Sequence, residues 1–206
     1  MNRRGILLAV LATFVCFTSS YANITNVTYA SDGDGAFTCT PWDWSGNASE
    51  VPMDIYGDLY WGPGHMRIDV LADSASDPTL KINNTIDNET SFAWTQFTVN
   101  IYMATNFTLS NVSVSAPVSS PDWSVVSYDP AGIWNGSQYV ATVVYDTGSS
   151  IAISDAIDFG YWVQFSGSPA YTITQEMIPV PEPSTLGLVI LGGLFIASRT
   201  LRRDRR

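Results

Sequence analysis

The sequence predicts an all-β protein: an antiparallel β-sandwich, jelly-roll-like or immunoglobulin-like, lying between two apolar end segments. Apolar and polar residues alternate with period two through much of the middle of the chain, which is typical of half-buried strands. Turn residues interrupt this pattern at short intervals, and no stretch shows sustained helical spacing with caps. We therefore expect eight to ten short strands, preceded by a signal peptide and followed by a single transmembrane helix.

The N-terminal segment, residues 1–22, has the layout of a secretory signal peptide. Arg3 and Arg4 form a basic start, residues 6–17 are apolar, and small residues stand at positions 20 and 22. This order predicts export, with cleavage after Ala22. An uncleaved signal anchor is the alternative. Lipidation at Cys16 is disfavoured, because the bulky Val15 precedes it.

The body, residues 23–178, gives the clearest strand signal in four segments. Residues 66–70, 139–145, 157–165 and 171–177 each place apolar side chains on one face and mostly polar ones on the other. By contrast, residues 30–52 are rich in Gly, Asp and Ser. This composition predicts a loop-rich entry to the first sheet.

Local irregularities of the body are also predicted. In residues 92–102 the apolar residues stand at even positions up to Trp94 and at odd positions from Phe97 onwards. This change indicates a β-bulge at Thr95 and Gln96. The segment "WGPG" at 61–64 predicts a turn, and "NGS" at 135–137 predicts a hairpin. Further breaks are expected near Pro121 and Pro130. Trp94 and Trp162 lie in predicted strands and are expected in the core, although Trp162 falls opposite its apolar neighbours.

Charge is distributed unevenly along the chain. Of the 19 acids, 18 lie between residues 23 and 183, where only Arg67 and Lys81 are basic, so this part has a net charge of −16. Nucleic-acid binding depends on basic patches and is excluded as a function. Arginines beside apolar segments mark the cytoplasmic side, so both ends are expected to face inward and the acidic body outward.

Export leaves Cys39 as a lone thiol, either buried or free to join two chains.

The C-terminal segment, residues 179–206, begins with "VPEPS" and continues into an apolar run. A helix over 184–200 would be about 25 Å long, which is at the short end for a membrane span. The arginines that follow favour a span over a buried or interfacial helix, since they would act as a stop-transfer anchor: Arg199, Arg202, Arg203, Arg205 and Arg206.

This order of motif, apolar run and terminal arginines resembles the PEP-CTERM sorting signal of bacterial surface proteins. Pro181, Glu182 and Pro183 match its tripeptide. The resemblance implies recognition by an integral-membrane exosortase, with Glu182 as the recognition group. It also implies a transient inner-membrane precursor, delivery to the cell surface or extracellular matrix, and an association with exopolysaccharide and biofilm.

Three groups of residues are candidate sites in the body. Eight asparagines occupy N-x-S/T sequons and could carry glycans, although a polar strand face also produces this spacing. Asp32 and Asp34 could bind calcium, with an acidic turn as the alternative. Tryptophans in or beside predicted loops could stack on sugars or close the ends of the core. The sequons are at Asn23, Asn26, Asn47, Asn83, Asn88, Asn106, Asn111 and Asn135; the tryptophans are Trp42, Trp44, Trp61 and Trp123.

Catalysis has little support in the sequence. His65 is the only histidine, which excludes zinc sites built on two or three histidines, and it lies near no nucleophile signature. We expect no cofactor other than the possible calcium. The sequence predicts a non-enzymatic surface or matrix protein with a structural or adhesive role. A carbohydrate-binding module and a glycoside hydrolase, which would need two convergent carboxylates, are the alternatives.

Overall fold

The computed structural model describes residues 22–73, 77–115, 123–165 and 169–182. Within these ranges the protein is all-β, as predicted, but it has thirteen strands instead of eight to ten. The strands are β1 (Ile24–Ser31), β2 (Phe37–Cys39), β3 (Trp42–Ala48), β4 (Glu50–Leu59), β5 (Gly64–Ala72), β6 (Thr79–Asn88), β7 (Trp94–Met103), β8 (Phe107–Ser115), β9 (Ser124–Tyr128), β10 (Ile133–Trp134), β11 (Tyr139–Ile151), β12 (Ala156–Phe165) and β13 (Ala170–Pro181).

These strands form two sheets. The eight-stranded sheet has the order β10-β11-β7-β13-β5-β1-β3, with β9 also paired to β11, and the five-stranded sheet has the order β2-β4-β6-β12-β8. Strand pairing is antiparallel, as predicted, except that β4 and β6 run parallel. Immunoglobulin-like and jelly-roll-like domains have about seven to nine strands, so this arrangement is larger than either of the two predicted types.

The alternating segments form strands with the predicted buried faces. On β5, for example, Met66, Ile68 and Val70 are buried, whereas Arg67 is exposed. The predicted bulge is also confirmed, because the pairing of β7 with β11 and with β13 shifts register between Trp94 and Gln96. The predicted hairpin joins β10 to β11.

The expectation of an irregular segment at 30–52 is wrong. It contains β2, β3 and the start of β4. The edge strand β3 pairs with β1 through its backbone while most of its side chains stay exposed, so it lacks the apolar alternation by which a strand is recognised in a sequence.

The core lies between the two sheets. Phe159 on β12 has its ring centroid 5.5 Å from that of Phe97 on β7 and 5.3 Å from that of Tyr145 on β11. A polar contact also crosses the core: the Tyr161 hydroxyl donates to Gln175 Oε1, and Gln175 Nε2 donates to Asn84 Oδ1 at 3.1 Å. These contacts join β12, β13 and β6, so the last strand is tied to the opposite sheet.

The last strand extends beyond the predicted end of the domain at residue 178. β13 reaches Pro181 and lies between β7 and β5, inside the larger sheet. At the other end of the chain, the predicted cleavage point after Ala22 lies one residue before β1. The signal peptide up to residue 21, the transmembrane helix at 184–200 and the break near Pro121 lie outside the described residues.

Candidate functional site

The first residues of the predicted sorting signal belong to the folded domain. Pro179, Val180 and Pro181 pair with Phe97, Gln96 and Trp94 on β7. The Thr95 hydroxyl, within the bulge, lies 3.4 Å from the carbonyl oxygens of both Val180 and Pro181 and can donate to either. The Glu182 N–H donates to the Ala93 carbonyl at 3.2 Å. The chain is therefore extended as far as Glu182, bonded to β7 and to Ala93 directly before it.

The prolines of this segment do not remove a bond to β7. Because the Glu182 N–H points towards β7, strand alternation directs the nitrogens of Pro181 and Pro179 to the opposite side. On that side the partner is β5, whose pairing with β13 ends at Gly64 and Met177. A proline nitrogen cannot donate a ladder bond, and here it faces a place where the ladder has already ended.

The remaining predicted elements of the signal are not described. Pro183 and the arginines Arg199, Arg202, Arg203, Arg205 and Arg206 lie outside the described residues. Among the residues that the structure does describe, no helix has the length and apolar character needed to span a membrane.

A polar network crosses the outer face of the eight-stranded sheet. His65 on β5 has Nδ1 3.5 Å from an oxygen of Asp32 and Nε2 3.4 Å from an oxygen of Glu176 on β13. The other Glu176 oxygen accepts hydrogen bonds from Asn100 Nδ2 at 2.9 Å and from the Tyr102 hydroxyl at 2.6 Å. The network therefore links three neighbouring strands to the loop after β1.

This network changes the acidity of its members. Partial burial raises the pKa of Glu176, but the bonds from Asn100 and Tyr102 and the nearby His65 outweigh this, so the pKa lies below its usual value. Burial, the hydrogen bond to Glu176 and its charge raise the pKa of Tyr102 to about 12. Glu176 is therefore ionised and Tyr102 neutral near pH 7.

The geometry around His65 suits ion pairing. Both imidazole nitrogens face carboxylates, so neither is directed at a hydroxyl nucleophile as in a Ser-His-Asp triad.

Asp32, Asp34 and His65 place one ligand atom each within 4.8 Å of one another. However, Asp32 accepts from the Asp34 N–H at 3.1 Å and Asp34 from the Ala36 N–H at 2.7 Å, which is the bonding of an acidic turn. Calcium at Asp32 and Asp34 stays a prediction.

A cavity of about 600 Å³ opens beside β1 and β3. Trp42 lines it together with Asp43, Arg67 and Asp69. The Arg67 guanidinium binds Asp69 through Nε, at 3.0 and 2.8 Å from the two carboxylate oxygens. An indole beside ionic and hydroxyl groups can stack on a sugar ring and bind its hydroxyls.

The four candidate tryptophans do not form one platform. Trp42 and Trp44 were expected in or beside a loop and lie half-buried on β3, where Trp42 stacks on Tyr29 with 5.8 Å between ring centroids. Trp61 is exposed in the turn before β5, as expected for a loop residue. Trp123 is buried, and its Nε1 donates to the Ser149 carbonyl at 2.9 Å, so it closes the core.

The sequons differ in accessibility. Asn88 is completely buried, and its amide donates to the carbonyls of Phe92, Ile151 and Ala152, so the folded chain does not present it for glycan attachment. Of the others, Asn23 and Asn26 are half-buried, and five are exposed: Asn47, Asn83, Asn106, Asn111 and Asn135. Glycan attachment at these positions stays a prediction.

Cys39 lies half-buried on β2 and is unpaired. Burial raises the pKa of its thiol, which disfavours the reactive thiolate.

Sequence reasoning did not find the partners that complete these sites. Glu176 and His65 are 111 positions apart and meet only because β13 pairs with β5. Arg67 and Asp69 were recognised as the outer face of a strand, but nothing in the sequence placed Trp42 beside them. The alternation of β5 and β13 was visible, whereas their pairing was not.

Comparison with known proteins supports the resemblance at the C-terminal segment. Residues 179–205 match the family model of the PEP-CTERM protein-sorting motif. Searches of curated proteins and of solved structures gave no significant match. The motif implies export and sorting to the surface with recognition by an exosortase. The chain therefore carries a PEP-CTERM protein-sorting motif, whose first residues form the end of the last strand of an all-β domain.

Proposed function

We propose that the protein is made as an exported precursor, held in the inner membrane by a helix over residues 184–200 and processed by an exosortase. The enzyme recognises Pro181, Glu182 and Pro183, and the β-domain is delivered to the cell surface or extracellular matrix. There it has a structural or adhesive, non-enzymatic role associated with exopolysaccharide. The match of residues 179–205 to the sorting motif is the observation that carries this proposal.

The charge distribution supports this orientation. The acidic body contrasts with the arginines at positions 199–206, which would hold the tail on the cytoplasmic side. A strongly negative body also favours solubility outside the cell and bridging by divalent cations.

The structure restricts where the precursor can be cut without damage to the domain. Pro179 to Pro181 fill strand positions opposite β7, and Glu182 adds a backbone bond to Ala93. A cut before Pro179 would remove these contacts from the middle of the larger sheet. We therefore expect the released protein to end at or after Glu182.

The proposal is tested by Glu182→Ala in the native host. Wild-type protein is expected outside the membrane, with an intact mass that lacks both end segments, whereas the variant is expected to stay in the membrane with its tail. The matched control is Glu89→Ala. Glu89 lies at the same end of the domain, where its N–H bonds to the Leu59 carbonyl, and its side chain is exposed whereas that of Glu182 is half-buried.

Three outcomes of this experiment are informative. Wild type that stays in the membrane with Arg206 present would refute exosortase processing. Equal retention of both variants would show that Glu182 has no special role. A mass above that of the trimmed chain would indicate glycans on the exposed sequons.

The cavity beside Trp42 favours carbohydrate binding as a second candidate function of the domain. Trp42→Ala is expected to raise the dissociation constant for the host exopolysaccharide about tenfold, which corresponds to about 1.4 kcal/mol of lost stacking. Affinity electrophoresis in gels containing the purified polysaccharide measures this change. The matched control is Trp44→Ala, since Trp44 is also half-buried on β3 but does not line the cavity. Equal migration of wild type and Trp42→Ala would exclude this site.

A further inference from the structure

The turn between β4 and β5, residues 60–63, is fixed at the end of the domain from which β13 leaves. The N–H groups of Tyr60 and Trp61 both donate to the Ala36 carbonyl, at 2.9 and 3.4 Å. Gly62 packs directly on Pro179: a Cβ at this position would lie 2.5 Å from Pro179 Cδ. The turn therefore touches the chain three residues before Glu182.

This turn exposes two aromatic side chains. Tyr60 is 40% exposed and Trp61 is 53% exposed. The Trp61 ring also lies close to Gly35, where a Cβ would be 3.3 Å from its Cη2 atom. The same domain buries Trp94 completely, whereas the turn holds the indole of Trp61 exposed beside the exposed ring of Tyr60.

The length of chain between the domain and the apolar tail is short. Leu186, where the uninterrupted apolar run begins, is four positions after Glu182. An extended chain spans at most about 3.3–3.6 Å per residue, so the run starts within about 14 Å of Glu182. If the run enters a bilayer, the end of the domain that carries Pro179 and the aromatic turn must lie at the bilayer surface.

We propose that the turn of Tyr60 and Trp61 is a membrane-contact site that inserts into the headgroup region of the bilayer that holds the tail. Trp and Tyr are the residues that concentrate at this boundary, because an apolar ring and a polar N–H or O–H match its two sides. The contact fixes the orientation of the domain and holds Glu182 at the level of a membrane-embedded peptidase. This inference rests on the proposed membrane-held precursor.

The charges beside the turn indicate the kind of lipid. Asp32 and Asp34 lie in the exposed loop that Trp61 contacts through Gly35, and Asp58 lies 3.4 Å from the Tyr60 hydroxyl. Anionic headgroups would repel these carboxylates. The site therefore suits a zwitterionic surface.

Trp134 provides a matched control. It is 52% exposed, close to the value for Trp61. It pairs with Tyr139, which in turn pairs with Met103. Met103 is the last residue of β7, whereas Trp94 is the first. A strand rises about 3.3 Å per residue, so the two ends of β7 are about 30 Å apart, and Trp134 should stay away from the bilayer.

The test uses tryptophan fluorescence of the full chain in phosphatidylcholine vesicles whose acyl chains carry bromine, a short-range quencher. All seven tryptophans belong to the body, at positions 42 to 162, so quenching reports contact between the body and the bilayer. Wild type and Trp134→Phe are expected to show quenching, and Trp61→Phe is expected to lose most of it. Flotation of the vesicles after an alkaline wash measures insertion of the tail independently.

The outcomes separate this inference from the proposed function. If the chain floats with the vesicles but Trp61→Phe is quenched as strongly as wild type, or if wild type shows no quenching, the membrane-contact site is refuted and the membrane-held precursor stands. If the chain does not float, the tail does not anchor it, and both are refuted.

Discussion

Replacing Trp94 by alanine is expected to lower the free energy of unfolding by about 3–5 kcal/mol. The side chain is completely buried, and its ring stacks on Phe97 with 5.1 Å between centroids. Its Nε1 donates to the Thr90 hydroxyl at 3.1 Å. The truncation leaves a cavity beside the β7 bulge, opposite Pro181, so the end of β13 loses support as well.

Urea unfolding measures this effect, with Trp134→Ala as the control. Trp134 is half exposed and its ring packs against Tyr139 with 5.1 Å between centroids, so its loss should cost no more than about 1 kcal/mol. Similar midpoints for the two variants would contradict the core position of Trp94. Trp94→Phe separates the contribution of the hydrogen bond from that of ring packing, because it removes the bond to Thr90 while keeping an aromatic ring.

Replacing Gln175 by leucine is expected to cost about 2–4 kcal/mol, since an unpaired buried polar group costs about 1–3 kcal/mol. Gln175 is buried, and it accepts a bond from the Tyr161 hydroxyl while donating to Asn84. The substitution leaves both partners in the core without this bond. Leucine has a similar size, so the loss reports hydrogen bonding more than a cavity.

A double-mutant cycle with Tyr161→Phe distinguishes these two causes. Removing the Tyr161 hydroxyl in the Gln175→Leu background takes away one of the unpaired groups, so the double variant is expected to be more stable than Gln175→Leu alone. Urea midpoints at an unchanged slope measure this difference. Strictly additive losses would show that the two side chains do not interact in the native core.

Local pattern was sufficient to predict much of the fold. The alternation on β5, β11, β12 and β13, the bulge beside Thr95 and the hairpin at Asn135 each depend on a few neighbouring residues. The sorting motif was likewise recognisable because its tripeptide, apolar run and arginines are contiguous. Such features can be predicted because the residues that determine them are close together in the sequence.

Features that depend on distant partners were missed or wrong. Trp162 was expected in the core, but it lies on the outer face, with Lys81 Nζ 4.2 Å from its ring centroid. Its position opposite its apolar neighbours was the correct signal, and the general preference of tryptophan for cores was misleading. The parallel pairing of β4 with β6 was equally invisible, because β5 intervenes and belongs to the other sheet.

The central place of β13 bears on the order of events during secretion. The strand lies between β7 and β5, so without it the larger sheet consists of two separate groups, β10-β11-β7 with β9 on β11, and β5-β1-β3. In a chain that crosses the membrane from its N-terminal side, residues 170–181 emerge after all the other strands, and the last three of them already belong to the sorting motif. Such non-local pairing is slow to form. In the proposed exported precursor, the domain would therefore be completed only when the motif reaches the outer surface, so that the chain would fold as it becomes ready to be sorted.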